Sequence, residues 1–372
     1  MRRDFARLFN IVMSVAVVSQ ATNAMAQQWA PKGPLGRVLS SAVLDATTNR
    51  MVVYGGDAYN SCTVHPNDVW WLNSATATGP TLYWTKVQPS GSPPAARVAQ
   101  TAVYASASSR MIVFGGGLGC SSPCASDTWI LDNANGAGGT PAWIPLSPSG
   151  TLPPPRLFHT AVYDPNTNSM IAFGGNDCFT TLYGDVWVLS NANGLTGTPM
   201  WTQLAPTGTA PSAREHASAV YDPANNIMIL YGGNDDSGVR GDVWVLSHAN
   251  GVGGTPAWTQ LAPSGAPAPR GQLSAIYDAT NNRMTIFGGS GASGALGDVW
   301  VLSNANGIGG TPAWSQLVPP THFPPQPRYG HTAVYNPASN VMTIFGGSLG
   351  SSPAYGYIPT NDVFVLTHAN GL

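Results

Sequence analysis

Glutamate occurs once in this chain, at Glu215, and its neighbour is His216. A carboxylate beside an imidazole can move protons, because the two groups titrate on either side of neutrality. Arg240 follows 25 residues after Glu215, close enough in a sheet unit to share a face with it. The run Asn234-Asp235-Asp236, together with His159, Tyr329 and His331, completes the most concentrated polar set in the chain. The candidate ligand-binding residues are therefore His159, Glu215, His216, Asp235, Asp236, Arg240, Tyr329 and His331, with Glu215, His216 and Arg240 the set to test for acid–base catalysis. Ordinary solvated loops would account for the same residues, since loops are polar whatever their function. Calcium at Asn234–Asp236 would need about 6 to 8 oxygens that a sequence does not place. No ligand spacing implies a metal or a cofactor, and neither is expected.

Cysteines stand at Cys62, Cys120, Cys124 and Cys178. The x-three spacing of Cys120 and Cys124, with no histidine cluster nearby, is poor for zinc. Disulfides are expected instead, either Cys62–Cys120 with Cys124–Cys178 or a small loop closed by Cys120–Cys124.

That expectation rests on the compartment. Arg2, Arg3 and Arg7 precede an apolar run from Leu8 to Val18 and a small-x-small site, Ala24-Met25-Ala26. This pattern reads as a cleavable signal peptide over residues 1–26. Its apolar run is shorter than the ~20 residues that span a bilayer, so no membrane span is expected. Arg2-Arg3-Asp4-Phe5 also resembles the start of a bacterial twin-arginine signal. Removing residues 1–26 leaves 12 basic and 16 acidic residues, a net charge of −4. Without a basic stripe, nucleic-acid binding is excluded. A secreted or periplasmic protein is expected, in which disulfides persist.

The elements that must position the polar set come from a repeat. Arginine opens each unit, at Arg37, Arg97, Arg156, Arg214, Arg270 and Arg328, with spacings of 60, 59, 58, 56 and 58 residues. Each unit then reaches a Gly-Gly pair, as at Gly174-Gly175, and an Asp-x-Trp, as at Asp185/Trp187, with Asp362/Phe364 in the last. A second tryptophan follows at Trp84, Trp143, Trp201, Trp258 and Trp314. Within one unit the apolar runs predict four strands: a over His159–Tyr163, b over Ser169–Phe173, c over Asp185–Leu189 and d over Met200–Leu204. The turns between them carry Asp-Pro-Asn, Gly-Gly and Asn-Ala-Asn-Gly, the punctuation of antiparallel sheet. Four strands repeated radially predict an all-β six-bladed propeller.

Arginine, Gly-Gly, Asp-Val-Trp and tryptophan in that order resemble the kelch repeat across residues 27–372. The last unit stops after strand c, at Leu366-Thr-His-Ala-Asn-Gly-Leu372, while Gln28-Trp29-Ala30-Pro31 mimics a strand d. The sixth blade is thus expected to be closed by an N-terminal strand, leaving no sheet edge for aggregation.

Columns shared by all units read as scaffold. The Gly-Gly pair suits positive φ, the tryptophans should fill the space between sheets, and the arginines and their aspartates are expected to tie blade to blade by charge-assisted hydrogen bonds. The triplet after each arginine varies: Val38-Leu39-Ser40, Val98-Ala99-Gln100, Leu157-Phe158-His159, Glu215-His216-Ala217, Gly271-Gln272-Leu273 and Tyr329-Gly330-His331. In the resembled family this position lies beside the b–c and d–a loops, whose shared face usually binds partners. The resemblance therefore implies a monomeric binding module for an unknown protein or carbohydrate on that face. A second implication is sugar chemistry, because bacterial N-acetylneuraminate epimerases are similar six-bladed kelch enzymes. Copper chemistry of the galactose oxidase kind is disfavoured, since those enzymes have seven blades and a cross-linked cysteine.

Overall fold

The most apolar segment of each unit is strand b, and segments such as Ser169–Phe173 and Ile227–Tyr231 are buried at every position. A strand loses alternation in this way when sheets cover both its faces. Strand a keeps the alternation, as in Ser41–Asp45 and Thr332–Asn336. In the computed structural model, which describes residues 33–58, 65–78, 81–119, 123–319, 324–352 and 356–372, these strands build six antiparallel blade sheets. The third blade is typical: Thr160–Asp164, Ser169–Phe173, Val186–Ser190 and Met200–Leu204 pair in chain order. The a strands of adjacent blades face one another around the axis, and those of the first and last blades meet as the others do. Among the described residues the only helix is a 3₁₀ turn at Ser106–Ser108, and no helix is long and apolar enough to cross a membrane.

The repeat arginines are at most 2% exposed. Each Nη1 meets the aspartate of its own blade's Asp-x-Trp at 2.5–2.9 Å. The same nitrogen donates to the first glycine of the Gly-Gly pair, for example Gly174 O at 2.9 Å. In the third blade, burial would raise the Asp185 carboxyl, but Arg156 and the Trp187 indole N–H outweigh it and hold the group below the usual carboxylate range. In the sixth blade Phe364 replaces that indole, and Thr360 Oγ1 donates to Asp362 Oδ1 instead (2.6 Å). These pairs were expected to join blades. Their side chains instead lock strands a, b and c of one blade, and the joint between blades is made by the arginine backbone. The N–H of the second glycine donates to the next blade's arginine carbonyl: Gly56 to Arg97, Gly116 to Arg156, Gly175 to Arg214, Gly233 to Arg270, Gly289 to Arg328 and Gly347 to Arg37, at 2.8–3.1 Å. The last bond joins the sixth blade to the first.

The second tryptophans interlock the sheets. Each packs on the aromatic that ends strand b of the preceding blade: Trp143 on Tyr54, Trp201 on Phe114, Trp258 on Phe173, Trp314 on Tyr231 and Trp84 on Phe345, with centroids 4.8–5.4 Å apart. Phe114 meets both a histidine, His159, and a tryptophan. The equivalent Phe287 meets His331 and borders a groove of 760 Å³ lined by Leu317, Met342, Ile344, Phe364 and Leu366. The strand expected to close this blade, Gln28–Pro31, lies outside the described residues. Deleting residues 27–36, or replacing Trp29 by alanine, is expected to lower the melting temperature, the substitution costing about 3–5 kcal/mol as for a core tryptophan. An unchanged melting temperature in both variants would remove Trp29 from the sixth blade.

Candidate functional site

The variable triplets enter the a strands at one end of the axis. Their central residues, Leu39, Ala99, Phe158, His216, Gln272 and Gly330, all have φ between 54° and 62°. Five of the six have side chains that rarely take this conformation, at a cost of about 1–3 kcal/mol each. The return is a closed hoop of backbone hydrogen bonds. Each N–H donates to the carbonyl of its counterpart in the preceding blade, Leu39 to Gly330, Ala99 to Leu39, Phe158 to Ala99, His216 to Phe158, Gln272 to His216 and Gly330 to Gln272, at 2.7–3.1 Å.

Inside the hoop lies a cavity of 170 Å³, lined by this column and the next, which is Ser40, Gln100, His159, Ala217, Leu273 and His331. Gln100 Nε2 donates to Ser41 Oγ and Tyr54 O, both at 3.1 Å, in the preceding blade. His159 Nε2 hydrogen-bonds with Thr101 Oγ1 (2.7 Å) and His331 Nε2 with Ser274 Oγ (2.8 Å) across the same joint. All three side chains are at most 7% exposed. Burial, with a smaller contribution from Arg156 or Arg328, pushes both imidazoles down, His331 to about 3.

The residues singled out from the sequence divide into groups. Glu215 and His216 meet: His216 Nδ1 lies 3.2 Å from Glu215 Oε1, an ion-pair distance without hydrogen-bond alignment. Burial would raise the Glu215 carboxyl, yet His216 and the Asn176 amide hold it below its usual value. The His216 ring stacks on Phe158, centroids 3.9 Å apart. Arg240 is engaged elsewhere. Its Nε donates to Asp235 Oδ2 (2.6 Å), which also accepts from Ser212 Oγ (2.6 Å). The two residues sit on a short hairpin between strands b and c, and Asp236 is exposed at its tip. Tyr329 is buried, its hydroxyl donating to Gly350 O (3.2 Å). His159 and His331 belong to the blade joints and the cavity wall.

Gln100, Gln272 and Phe158 line the same cavity and were not singled out from the sequence; their membership of the variable triplets was the available signal. Phe179 is a further addition. It is 70% exposed on a b–c loop fixed at several points. Cys124 and Cys178 form a disulfide across two blades, with Cα atoms 5.5 Å apart, as one of the two expected pairings requires. Cys62 and Cys120 lie outside the described residues. Asp177 Oδ1 accepts from the N–H groups of Phe179, Thr180 and Thr181, and Asn176 joins the loop to Glu215. Among the described residues no cluster of histidine, cysteine and carboxylate side chains could hold a metal ion.

The buried imidazoles make the fold acid-sensitive. A histidine that stays neutral when folded but titrates near 6.5 when unfolded contributes stability that is complete above pH 6.5. That stability is lost as pH falls toward the folded value, at about 1.4 kcal/mol per pH unit. Urea unfolding at pH 7.5 and 4.5 should therefore show a smaller acid loss for His331→Gln, the residue found in this column at Gln100, than for the unaltered protein. Equal losses would contradict the burial of His331.

Comparison with known proteins gives a consistent picture. A profile for the KLHDC2/KLHL20/DRC7 kelch-repeats domain matches residues 9–193, 49–252 and 107–308 in overlapping registers. A serine/threonine-protein phosphatase, BSL2, of Arabidopsis thaliana is 29% identical over 269 residues, covering 70% of this chain and 24% of the phosphatase. Adagio-like protein 3 of Oryza sativa subsp. japonica is 30% identical over 251 residues, 64% of this chain and 36% of that protein. The Rab9 effector protein with kelch motifs of Mus musculus is 32% identical over 217 residues, 56% of this chain and 52% of the effector. The chain thus spans about half or less of the length of these relatives. A solved structure titled "Structure of YjhT" superposes with a TM-score of 0.61 at 15% identity, covering 90% of this chain and 99% of that one. At that identity the likeness concerns the fold alone.

Proposed function

Because this chain belongs to the kelch-repeat family, we propose that it is an exported recognition module whose b–c loop face docks a partner protein. The observation that carries this reading is Phe179. A large aromatic side chain 70% exposed is costly to leave in water, and one held on a loop braced by a disulfide and an aspartate cap loses little entropy on contact. Rigid aromatic anchors of this kind dominate the energy of protein interfaces. The b–c loops around it differ in length and sequence from blade to blade, as loops that carry recognition do. A relative named as a Rab9 effector also carries kelch motifs, which supports a protein partner. Arg240 pairs with Asp235 rather than with Glu215, so the acid–base set suggested for sugar chemistry gains no support.

Export is part of the proposal. The signal-like residues 1–26 and a disulfide on the loop face both suit an oxidising compartment. N-terminal sequencing of protein recovered from outside the cytoplasm should begin at Gln27; a chain still starting at Met1 would count against export. For the docking face, a photo-crosslinker placed at position 180 should capture a reproducible protein from the native compartment. Phe179→Ala should weaken that capture at least tenfold while leaving the melting temperature unchanged. Capture indifferent to Phe179→Ala would remove this loop from the interface.

A further inference from the structure

Asparagine precedes glycine at five places, Asn135-Gly136, Asn193-Gly194, Asn250-Gly251, Asn306-Gly307 and Asn370-Gly371, and alanine precedes each pair. All five lie just after strand c of their blade. Such a pair is open to attack by the glycine nitrogen on the asparagine side chain, because glycine has no Cβ to obstruct the approach. The five glycines share one backbone pose, with φ between 66° and 77°, and each N–H donates to the carbonyl three residues back at 2.7–2.9 Å. Neighbouring sequence and local backbone therefore treat the five alike.

The side-chain amides are not held alike. Four of them reach the preceding blade, where the aspartate that ends strand a accepts from Nδ2: Asn135 donates to Asp45 (3.0 Å), Asn250 to Asp164 (2.7 Å), Asn306 to Asp222 (2.7 Å) and Asn370 to Asp278 (2.6 Å). All four asparagines are buried. At the equivalent end of strand a in the second blade stands Ala105, which shares a buried cluster with Ala192, the residue before Asn193. An alanine side chain offers an amide no acceptor. Asn193 keeps the bonds to Asn168 and Leu195 that Asn250 makes to Asn226 and Val252. Among the described residues, however, none accepts from its Nδ2, and Asn193 is only partly buried.

We propose that Asn193 is a site of spontaneous covalent modification, converting to aspartate and isoaspartate while the neighbouring blades protect the other four pairs. The backbone nitrogen of Gly194 bonds to Cγ of Asn193, the Cγ–Nδ2 bond breaks, and Nδ2 leaves as ammonia with the proton that the backbone nitrogen gives up. Water then opens the resulting five-membered imide. Opening at Cγ yields aspartate, and opening at the backbone carbonyl yields isoaspartate, in which the chain runs through the side chain; the net change is water gained and ammonia lost, with no oxidation or reduction. In the four protected asparagines the amide must first give up a hydrogen bond to an ionised group before Cγ can turn toward the nitrogen. The reacting turn is also a joint. Arg110 of the second blade donates to Asn193 O (2.7 Å) while its Nε pairs with Asp132 (2.8 Å), so isoaspartate would lengthen the backbone where blades two and three meet.

Incubation of the purified protein in mildly alkaline, isotopically labelled water, followed by peptide mapping with mass spectrometry, reads the conversion of all five asparagines in one sample. In the folded protein Asn193 should convert about tenfold or more faster than any of the others, the difference expected from one hydrogen bond to a charged group. In urea all five should convert at similar rates. Another pair reacting as fast as Asn193 in the folded protein, or Asn193 still far the fastest in urea, would overturn the proposal. The repeat supplies the variants. Ala105→Asp installs the acceptor that stands at Asp45 and Asp164 and should slow Asn193 to the rate of the other four; an unchanged rate in a folded variant would contradict the proposed cause. Since a new buried carboxylate can prevent folding, Asp164→Ala supplies the reverse test. It should speed Asn250 about tenfold, through loss of the same hydrogen bond, and leave Asn306 unchanged. No acceleration at Asn250, or equal acceleration at both, would count against protection by the neighbouring aspartate.

Discussion

Six buried guanidiniums organise this molecule. Each repeat arginine is the hub at which one blade is locked and the next attached. Its side chain joins the start of strand a to the Gly-Gly end of strand b and the aspartate before strand c, while its carbonyl receives the glycine N–H of the preceding blade. Two residues further on, the same segment contributes to the hoop. A charge in such a place is tolerable only when paired and fully hydrogen-bonded, and lysine could not replace the planar fork that reaches carboxylate and carbonyl together. The indole N–H on the same aspartate satisfies a further lone pair, as Trp187 does on Asp185.

The hoop sits directly on this frame, and it explains how one end of the axis can vary without loosening. Its bonds use only backbone atoms, so any side chain is compatible with the joint provided that the residue accepts the left-handed conformation. Leu39, Phe158, His216 and Gln272 accept it because neighbours on both sides hold the same pose. Strain persists where the surrounding structure over-determines it. The face of the propeller is thereby free to differ from blade to blade, and Glu215, Phe158 and Gln272 occupy positions where the scaffold imposes no identity.

Most of the fold was legible in the sequence. Strands b and d of the third blade run over Ser169–Phe173 and Met200–Leu204, as the apolar runs predict, and strands a and c are displaced by a single residue. Repetition made this possible, because a pattern seen in several units averages out local exceptions. The arginine–aspartate pairing was legible as chemistry but not in direction: 28 to 34 residues separate the partners, and that distance does not reveal whether a side chain turns into its own sheet or toward the next. The candidate site was legible only in part. Glu215 and His216 adjoin in sequence and in space, whereas Arg240 is drawn to Asp235 by a hairpin whose geometry is local. Gln100 and Gln272 share their columns with His159, His331 and His216, but a neutral amide carries no acid–base signal that would single it out.

Open repeat arrays have ends. A stack of units unravels from its terminal members, each held on one side only, and its stability grows with every unit added. The bond from Leu39 to Gly330, and that from Gly347 to Arg37, give this chain no terminal member at the level of the backbone joints. Loss of any one blade breaks two joints instead of one, so partial unravelling is penalised at every position around the circle. The chain should accordingly behave as one cooperative unit with no preferred starting point, and the location of its covalent break becomes a matter of convenience: a permuted chain opened in another d–a connection would meet the same joints in the same order.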